Sequence, residues 1–234
     1  MAALPQDPSA ERLLLQSWLS PAFPIGSFAY SQGLESAFAA GELADASALH
    51  DWLEALLTDG PVRNDAILLG CAWRAAEAAD VPSLREINAL SIALAGSAER
   101  RLEITAQGRA FARTICASWA DTAAASRLLE ELSSGPLAYP IAVAIAASGH
   151  GVSLLPTLEA FLLSMLASAI SAAMRLGALG QTHAQRILAR FVRRIPEVAG
   201  DAAGCGRDDV GSATLRADIF SFLHEVQYSR LFRT

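Results

Sequence analysis

The sequence predicts an all-α fold, a single compact domain of about ten helices, and three observations carry that prediction. Apolar residues recur at helical spacing in block after block. Gly or Pro closes each block, and the alternating β-branched runs that mark half-buried strands are nearly absent. With 234 residues the chain is long enough to bury a substantial core without disulfides.

The elements follow in order. Asp7-Pro8 supplies an N-cap and a proline at the first helical position, and Leu13, Leu14 and Trp18 then share a face until Ser20-Pro21. The stretch Ser20–Gly26, SPAFPIG, is too apolar for a solvated loop and should pack on the body. Ser47 opens a helix with Leu49, Trp52, Leu53, Leu56 and Leu57 inward, closed by Gly60-Pro61, and 62–79 repeats the pattern. Ser83 and Glu86 read as a capping box. Further helices are expected at 98–118, 124–132, 139–148, 157–177, 181–193 and 213–228. Residues 1–199 form the helical body, 200–211 (GDAAGCGRDDVG) a mobile linker, and 212–234 a C-terminal helix and tail. In that last element Leu215, Ile219, Phe222 and Val226 form the stripe expected to dock, leaving Phe220, Leu231 and Phe232 to seek another surface. Removing His224 to Thr234 should therefore leave the body folded.

Composition excludes several function classes. A net charge of −6 argues against nucleic acid, which demands a concentrated basic surface. The mean hydropathy of +0.32 raises the question of a membrane span, but the unbroken apolar run Ala160–Met174 is shorter than the roughly 20 residues a bilayer core needs. Met1–Ala10 lacks a basic leader region, so a cytoplasmic protein is expected. The same apolar excess suggests a homodimer.

No catalytic or metal constellation stands out. The three cysteines, Cys71, Cys116 and Cys205, are scattered, and His50, His150, His183 and His224 never pair at helical spacing. His224-Glu225 resembles half of a zinc-binding HExxH motif, but Tyr228 stands where the second histidine belongs. Glu99-Arg100-Arg101-Leu102-Glu103 reads as a solvated helix face with internal pairing. A binding protein, not an enzyme, is the expectation.

Four stretches resemble the UreF family of urease accessory proteins: Leu19–Glu35 (LSPAFPIGSFAYSQGLE), Glu99–Gly108, the set Pro136–Ala142 with Phe161–Arg175 and Gly180–Arg186, and Asp218–Thr234 (DIFSFLHEVQYSRLFRT). Together they run along nearly the whole chain in the family's order. The resemblance implies a helical, dimeric, non-enzymatic chaperone component. With UreD (UreH in some species) and the GTPase UreG, it would deliver nickel to apo-urease (UreA, UreB and UreC). No tightly bound cofactor is implied, nickel being handled only in the complex. The partner-binding residues that follow are Phe23, Pro24, Tyr30, Glu35, Arg100, Arg101, Phe220, His224, Glu225, Tyr228, Arg230, Leu231, Phe232 and Arg233. Two readings stay open: a scaffold anchored by its aromatic residues, or a regulator of the UreG GTPase acting through Arg100, Arg101 or Arg109. A helical adaptor unrelated to nickel is the remaining alternative.

Overall fold

The computed structural model describes residues 7–119 and 123–233; the expectation of no leader at Met1–Ala10 falls largely outside them. Among the described residues there are eleven α-helices and no strand: α1 (Pro8–Trp18), α2 (Leu34–Ala39), α3 (Ala46–Asp59), α4 (Pro61–Glu77), α5 (Val81–Ala93), α6 (Ala98–Ser118), α7 (Ala123–Leu132), α8 (Tyr139–Gly149), α9 (Leu154–Arg175), α10 (Gln181–Gly204) and α11 (Leu215–Glu225). Short 3-10 turns at Ser27–Ala29 and Arg207–Asp209 complete the path. The all-α prediction holds.

The centre of the body is α8. Its sequence, YPIAVAIAASG, is apolar on every side, and a helix of that kind is stable only when enclosed. Tyr139 to Ala147 are all buried, with α4, α6, α7 and α9 packed around them. The approach of α6 to α8 is close enough to require glycine. A β-carbon at Gly108 would stand 2.1 Å from the Leu137 carbonyl oxygen, a main-chain atom at the entry to α8. The aromatic core joins this helix to the N-terminal elements, with Phe111 of α6 between Trp18, Phe23 and Tyr139. As expected, the SPAFPIG loop packs on the body through Phe23.

Several helix ends differ from the sequence reading, each for a local reason. α5 starts at Val81, not Ser83: Asp80 accepts from the Ser83 amide and hydroxyl, and Pro82 occupies the first turn, so Asp80 is the stronger cap. Glu86 is left free to pair with Arg207. α9 begins at Leu154 because Pro156 lies in the first turn, where its missing N–H loses nothing. The resulting 22-residue helix is long and apolar enough to cross a membrane; here it packs on α10, α4 and α1, burying Phe161, Leu162, Leu166 and Ile170.

α10 runs through Pro196 to Gly204, well beyond the expected stop at 193. Ile195, Val198, Ala199 and Ala202 are buried, and that packing outweighs the one hydrogen bond proline forfeits. The stretch expected as a mobile linker, 200–211, is thus helical for its first half. Its second half is tied to α4: Arg63 donates to the Asp209 carbonyl at 2.9 Å, and the Gly211 amide to Asn64 Oδ1 at 3.0 Å.

Gly108→Ala is expected to destabilise the fold by about 3 kcal/mol, since the new methyl meets main chain and not a yielding side chain. Urea denaturation followed by circular dichroism measures it.

Candidate functional site

Residues distant in sequence converge where the turn before α2, the start of α6 and the C-terminal strap, residues 226–233 after α11, meet. Gly33 sets the junction. Its φ of +80° turns the chain into α2, and a β-carbon there would come within 3.0 Å of the Ser221 amide nitrogen. α2 and α11 therefore lie almost backbone to backbone, with Ser36 Oγ donating to the Phe220 carbonyl. The next residue but one, Glu35, faces the strap.

Glu35 is buried, and its carboxylate accepts from the Leu231 amide at 2.6 Å, the Phe232 amide at 2.9 Å and His224 Nε2 at 3.1 Å. Burial alone would raise this carboxyl. The Leu231 amide, His224 and the Phe232 amide reverse that and hold it below the ordinary carboxylate value. His224 is fully enclosed and spans to a second carboxylate, with Nδ1 2.7 Å from Glu99 Oε2. Glu99 in turn takes Arg230 at 2.6 Å. Carboxylates sit at opposite edges of the imidazole, which makes this a hydrogen-bonded clasp and not a chelate. Among the described residues no group of three His, Cys, Asp or Glu is placed to hold a metal ion.

The strap is fixed at two further points. The Arg233 amide donates to the Ala29 carbonyl at 2.8 Å, and the Arg175 guanidinium lies over the Phe232 ring, 4.3 Å from its centroid, while also donating to the Phe28 carbonyl. The start of α6 belongs to the same junction. Ser97 caps it by accepting from the Arg100 amide, and Glu225 of α11 accepts from the Ala98 amide at 2.7 Å. Both acceptors sit where the helix dipole favours negative charge.

One turn further along α6, Arg100 bridges Asp65 at 2.6 Å and Glu103 at 2.9 Å, its side chain only 12% exposed. The 99–103 run is therefore not the solvated face the sequence suggested: Glu99, Arg100 and Glu103 turn inward, leaving Arg101 and Leu102 outside. Burial pushes the Asp65 carboxyl up to about 6 even beside Arg100, and the like charge of Glu103 adds to that rise.

The expected partner residues separate into two sets. Phe23, Tyr30, Phe220 and Phe232, taken as interface anchors, are buried within the chain itself, as are Glu35 and His224. Pro24, Arg101, Tyr228, Arg230, Leu231 and Arg233 are exposed, and Glu225 is half-buried. The α11 docking stripe is also reversed. Phe220 and His224 face the body, whereas Leu215, Ile219, Phe222 and Val226 face outward, Leu215 at 70% and Val226 at 80% exposure. The inward side has the hydrogen-bonding groups that match Glu35, Ser36 and Ser97, and those contacts outweigh apolar burial in choosing the face. Cutting the chain before His224 would strip a buried histidine and a buried phenylalanine from the fold, so the tail is part of the body.

Glu35, Glu99, Glu103, Asp65 and Arg175 thus form the site's ionic frame, and of these only Glu35 stood among the expected site residues. Asp65 carried a signal, a lone acid beside the apolar run Ala66–Leu69. Arg175, closing another apolar helix, carried the same kind.

Arg100→Ala should destabilise the protein by about 3–5 kcal/mol at pH 7 by stranding two buried carboxylates. The loss should be smaller at pH 5: Asp65, already pushed up to about 6 beside Arg100, goes higher still without it, so at pH 5 it takes up a proton and removes one of the stranded charges. Denaturant titrations of wild type and variant at both pH values read this. For the clasp, Glu35→Gln should reduce hydrogen-exchange protection of the Leu231 and Phe232 amides about tenfold or more, the worth of a charge-assisted bond. Because the Glu35 carboxyl is held low, the wild-type contribution is complete above its ordinary value of 4.5 and fades as pH falls below it.

The clasp joins the segments that carry the sequence resemblance, and comparison with known proteins agrees with it. The UreF family model matches residues 43–192. A protein of Bradyrhizobium diazoefficiens described as urease accessory protein UreF is 47% identical over 220 residues, covering 94% of this chain and 90% of its own length. Proteins of the same description from Rhodopseudomonas palustris and Xanthobacter autotrophicus are 45% and 46% identical, covering 100% and 97% of this chain and 95% and 93% of their own lengths. With a family match over most of its length and such relatives end to end, the chain belongs to the UreF family of urease accessory proteins.

Proposed function

We propose that this protein is a non-enzymatic component of urease maturation in the cytoplasm, binding a UreD-type partner and the GTPase UreG so that nickel reaches apo-urease. The observation that carries the reading is the outward apolar side of α11. Leu215, Ile219, Phe222, Leu223 and Val226 fall on one helical face, all at least 44% exposed, and Tyr228 beyond them is fully exposed. The clasp holds this face rigid, so little ordering entropy opposes binding. Exposed Arg230, bonded to the Glu225 and Gln227 carbonyls, stands at its C-terminal end, giving the aromatic, aliphatic and arginine mixture typical of interface centres. The UreD-type partner is assigned to this face. Nickel is cargo of the assembly and not a resident ion of this chain.

A second apolar region supports the homodimer. A groove between α1, α9 and α10, about 660 Å³, is lined by Leu15, Leu163, Val192 and Pro196, with Leu163 and Val192 partly exposed. For the GTPase-regulator reading, Arg100 is committed to Asp65 and Glu103, whereas Arg101 and Arg109 are exposed on α6 and remain the candidates.

The double variant Phe222→Ser, Val226→Asp should keep its unfolding free energy within about 0.5 kcal/mol of wild type, as surface changes do. It should lose co-purification with the UreD-type partner and fail to support urease activity in cells carrying the remaining urease genes. Undiminished partner binding by the folded variant would reject α11 as the interface.

A further inference from the structure

Away from the clasp, two of the three cysteines meet at the C-terminal end of α10, the Cys71 side chain against the Cys205 main chain. The Cys71 thiol of α4 donates to the Cys205 carbonyl, with its sulfur 3.9 Å from that oxygen. Arg74, one turn along α4, locks the arrangement: it donates to the Ala203 carbonyl at 2.8 Å, to the Cys205 carbonyl at 2.8 Å, and lies 3.5 Å from the Cys71 sulfur. A guanidinium over the last carbonyls of a helix is a favourable C-terminal arrangement, and here it fixes Cys205 against α4. The two thiols differ in access. Cys71 is buried, and Cys205 is half-buried at the rim. Cys205 lies just past the helix, between Gly204 and Gly206. No atom would crowd a β-carbon at Gly204, and only Asp209 Oδ2, at 3.8 Å, stands near one at Gly206. With Arg74 holding the main chain, the open space beside both glycines leaves the Cys205 side chain room to turn its sulfur toward Cys71. Cys116 lies elsewhere, its thiol directed at the Ser126 carbonyl.

We propose that Cys71 and Cys205 are a redox-active pair that a hydroperoxide converts to an intramolecular disulfide, stapling the end of α10 to α4. Cys205 is the thiol oxidised first. Its sulfur attacks one peroxide oxygen, the O–O bond breaks, and the released hydroxide leaves with the thiol proton as water, giving a sulfenic acid. The Cys71 sulfur then attacks the Cys205 sulfur; the S–O bond breaks and hydroxide departs with the Cys71 proton as a second water. Two thiols are oxidised by two electrons, and one peroxide is reduced. Burial raises the Cys71 thiol above its ordinary value, which suits the slower, resolving role of a thiol that already lies against the Cys205 main chain. Reversible disulfides of this kind in a reducing compartment are redox-sensing and not structural.

The test is thiol counting and peptide mapping on the purified full-length protein. After brief treatment with hydrogen peroxide, the thiols of the denatured protein should fall from three to one. Tryptic digestion without reduction should yield the 64–74 and 195–207 peptides joined and lighter by two hydrogens, and dithiothreitol should restore all three thiols. Cys71→Ser should leave Cys205 as sulfenic or sulfinic acid with no internal link, and Cys205→Ser should leave Cys71 unoxidised under the same exposure. Circular dichroism establishes that both variants fold. Three surviving thiols, a link involving Cys116, or a disulfide between two chains through Cys205 would each overturn the proposal. None of these outcomes depends on urease activation, so failure here leaves the maturation role standing.

Discussion

A carboxylate removed from water must be surrounded by donors, and Glu35 finds its donors at the far end of the chain. Two main-chain amides and a fully enclosed imidazole reach it from residues 224–232. That requirement explains much of the surrounding structure. The backbone contact at Gly33 is needed to bring α2 close enough, and Glu99 must occupy the other edge of His224. Arg230 and Arg175 then hold the strap from either side. Remove the central acceptor and two amides and an imidazole lose their partner together, which is costlier than the loss of any one hydrogen bond.

The ionic groups around this junction do not stabilise by number. Exposed pairs such as Arg85–Glu131 contribute little in water, whereas the enclosed Asp65–Arg100–Glu103 set is finely balanced between desolvation and attraction. Its value lies in specifying position: one guanidinium shared by α4 and α6 fixes how these helices meet, and hence where Ser97 and Glu99 stand. The apolar body around α8 provides the folding free energy, and the polar junction decides which way α11 lies.

Helices were legible in the sequence because their signals are local. The spacing of Leu49, Leu53, Leu56 and Leu57 and the Asp7-Pro8 cap are contained within a few residues, and the structure places both as read. The errors have the opposite character. Pro196 reads as a stop until the buried row Ile195, Val198, Ala199 and Ala202 shows what carries the helix past it. The glycine-rich 200–211 stretch reads as a tether, yet Arg63, Asn64 and Arg74, all on α4, bind it. For α11 the most apolar face was the natural choice for docking. That choice fails because the acceptor on Glu35 lies nearly 190 residues upstream, and no periodicity within the helix records it. The motifs of the family resemblance lie along the strap and the Gly33 turn, and several of the residues it implied as partner-binding, Glu35, His224 and Phe232 among them, are buried against each other within the chain.

The inversion of α11 leaves that helix under two independent demands. Its inner side answers to the fold, through Phe220, Ser221 and His224, and its outer side, in the interface proposed above, to the partner that would cover Leu215, Ile219, Phe222 and Val226. A loss-of-function screen along this helix would return hits at nearly every position, and the pattern would look like uniform sensitivity. Read at period 3.6 it resolves into two classes. Inner-face hits lower the amount of soluble protein, and outer-face hits leave it abundant and inert. If the proposed interface holds, both sides should drift slowly, for different reasons, and the helix would record at once the history of this chain's own packing and that of its partner's surface.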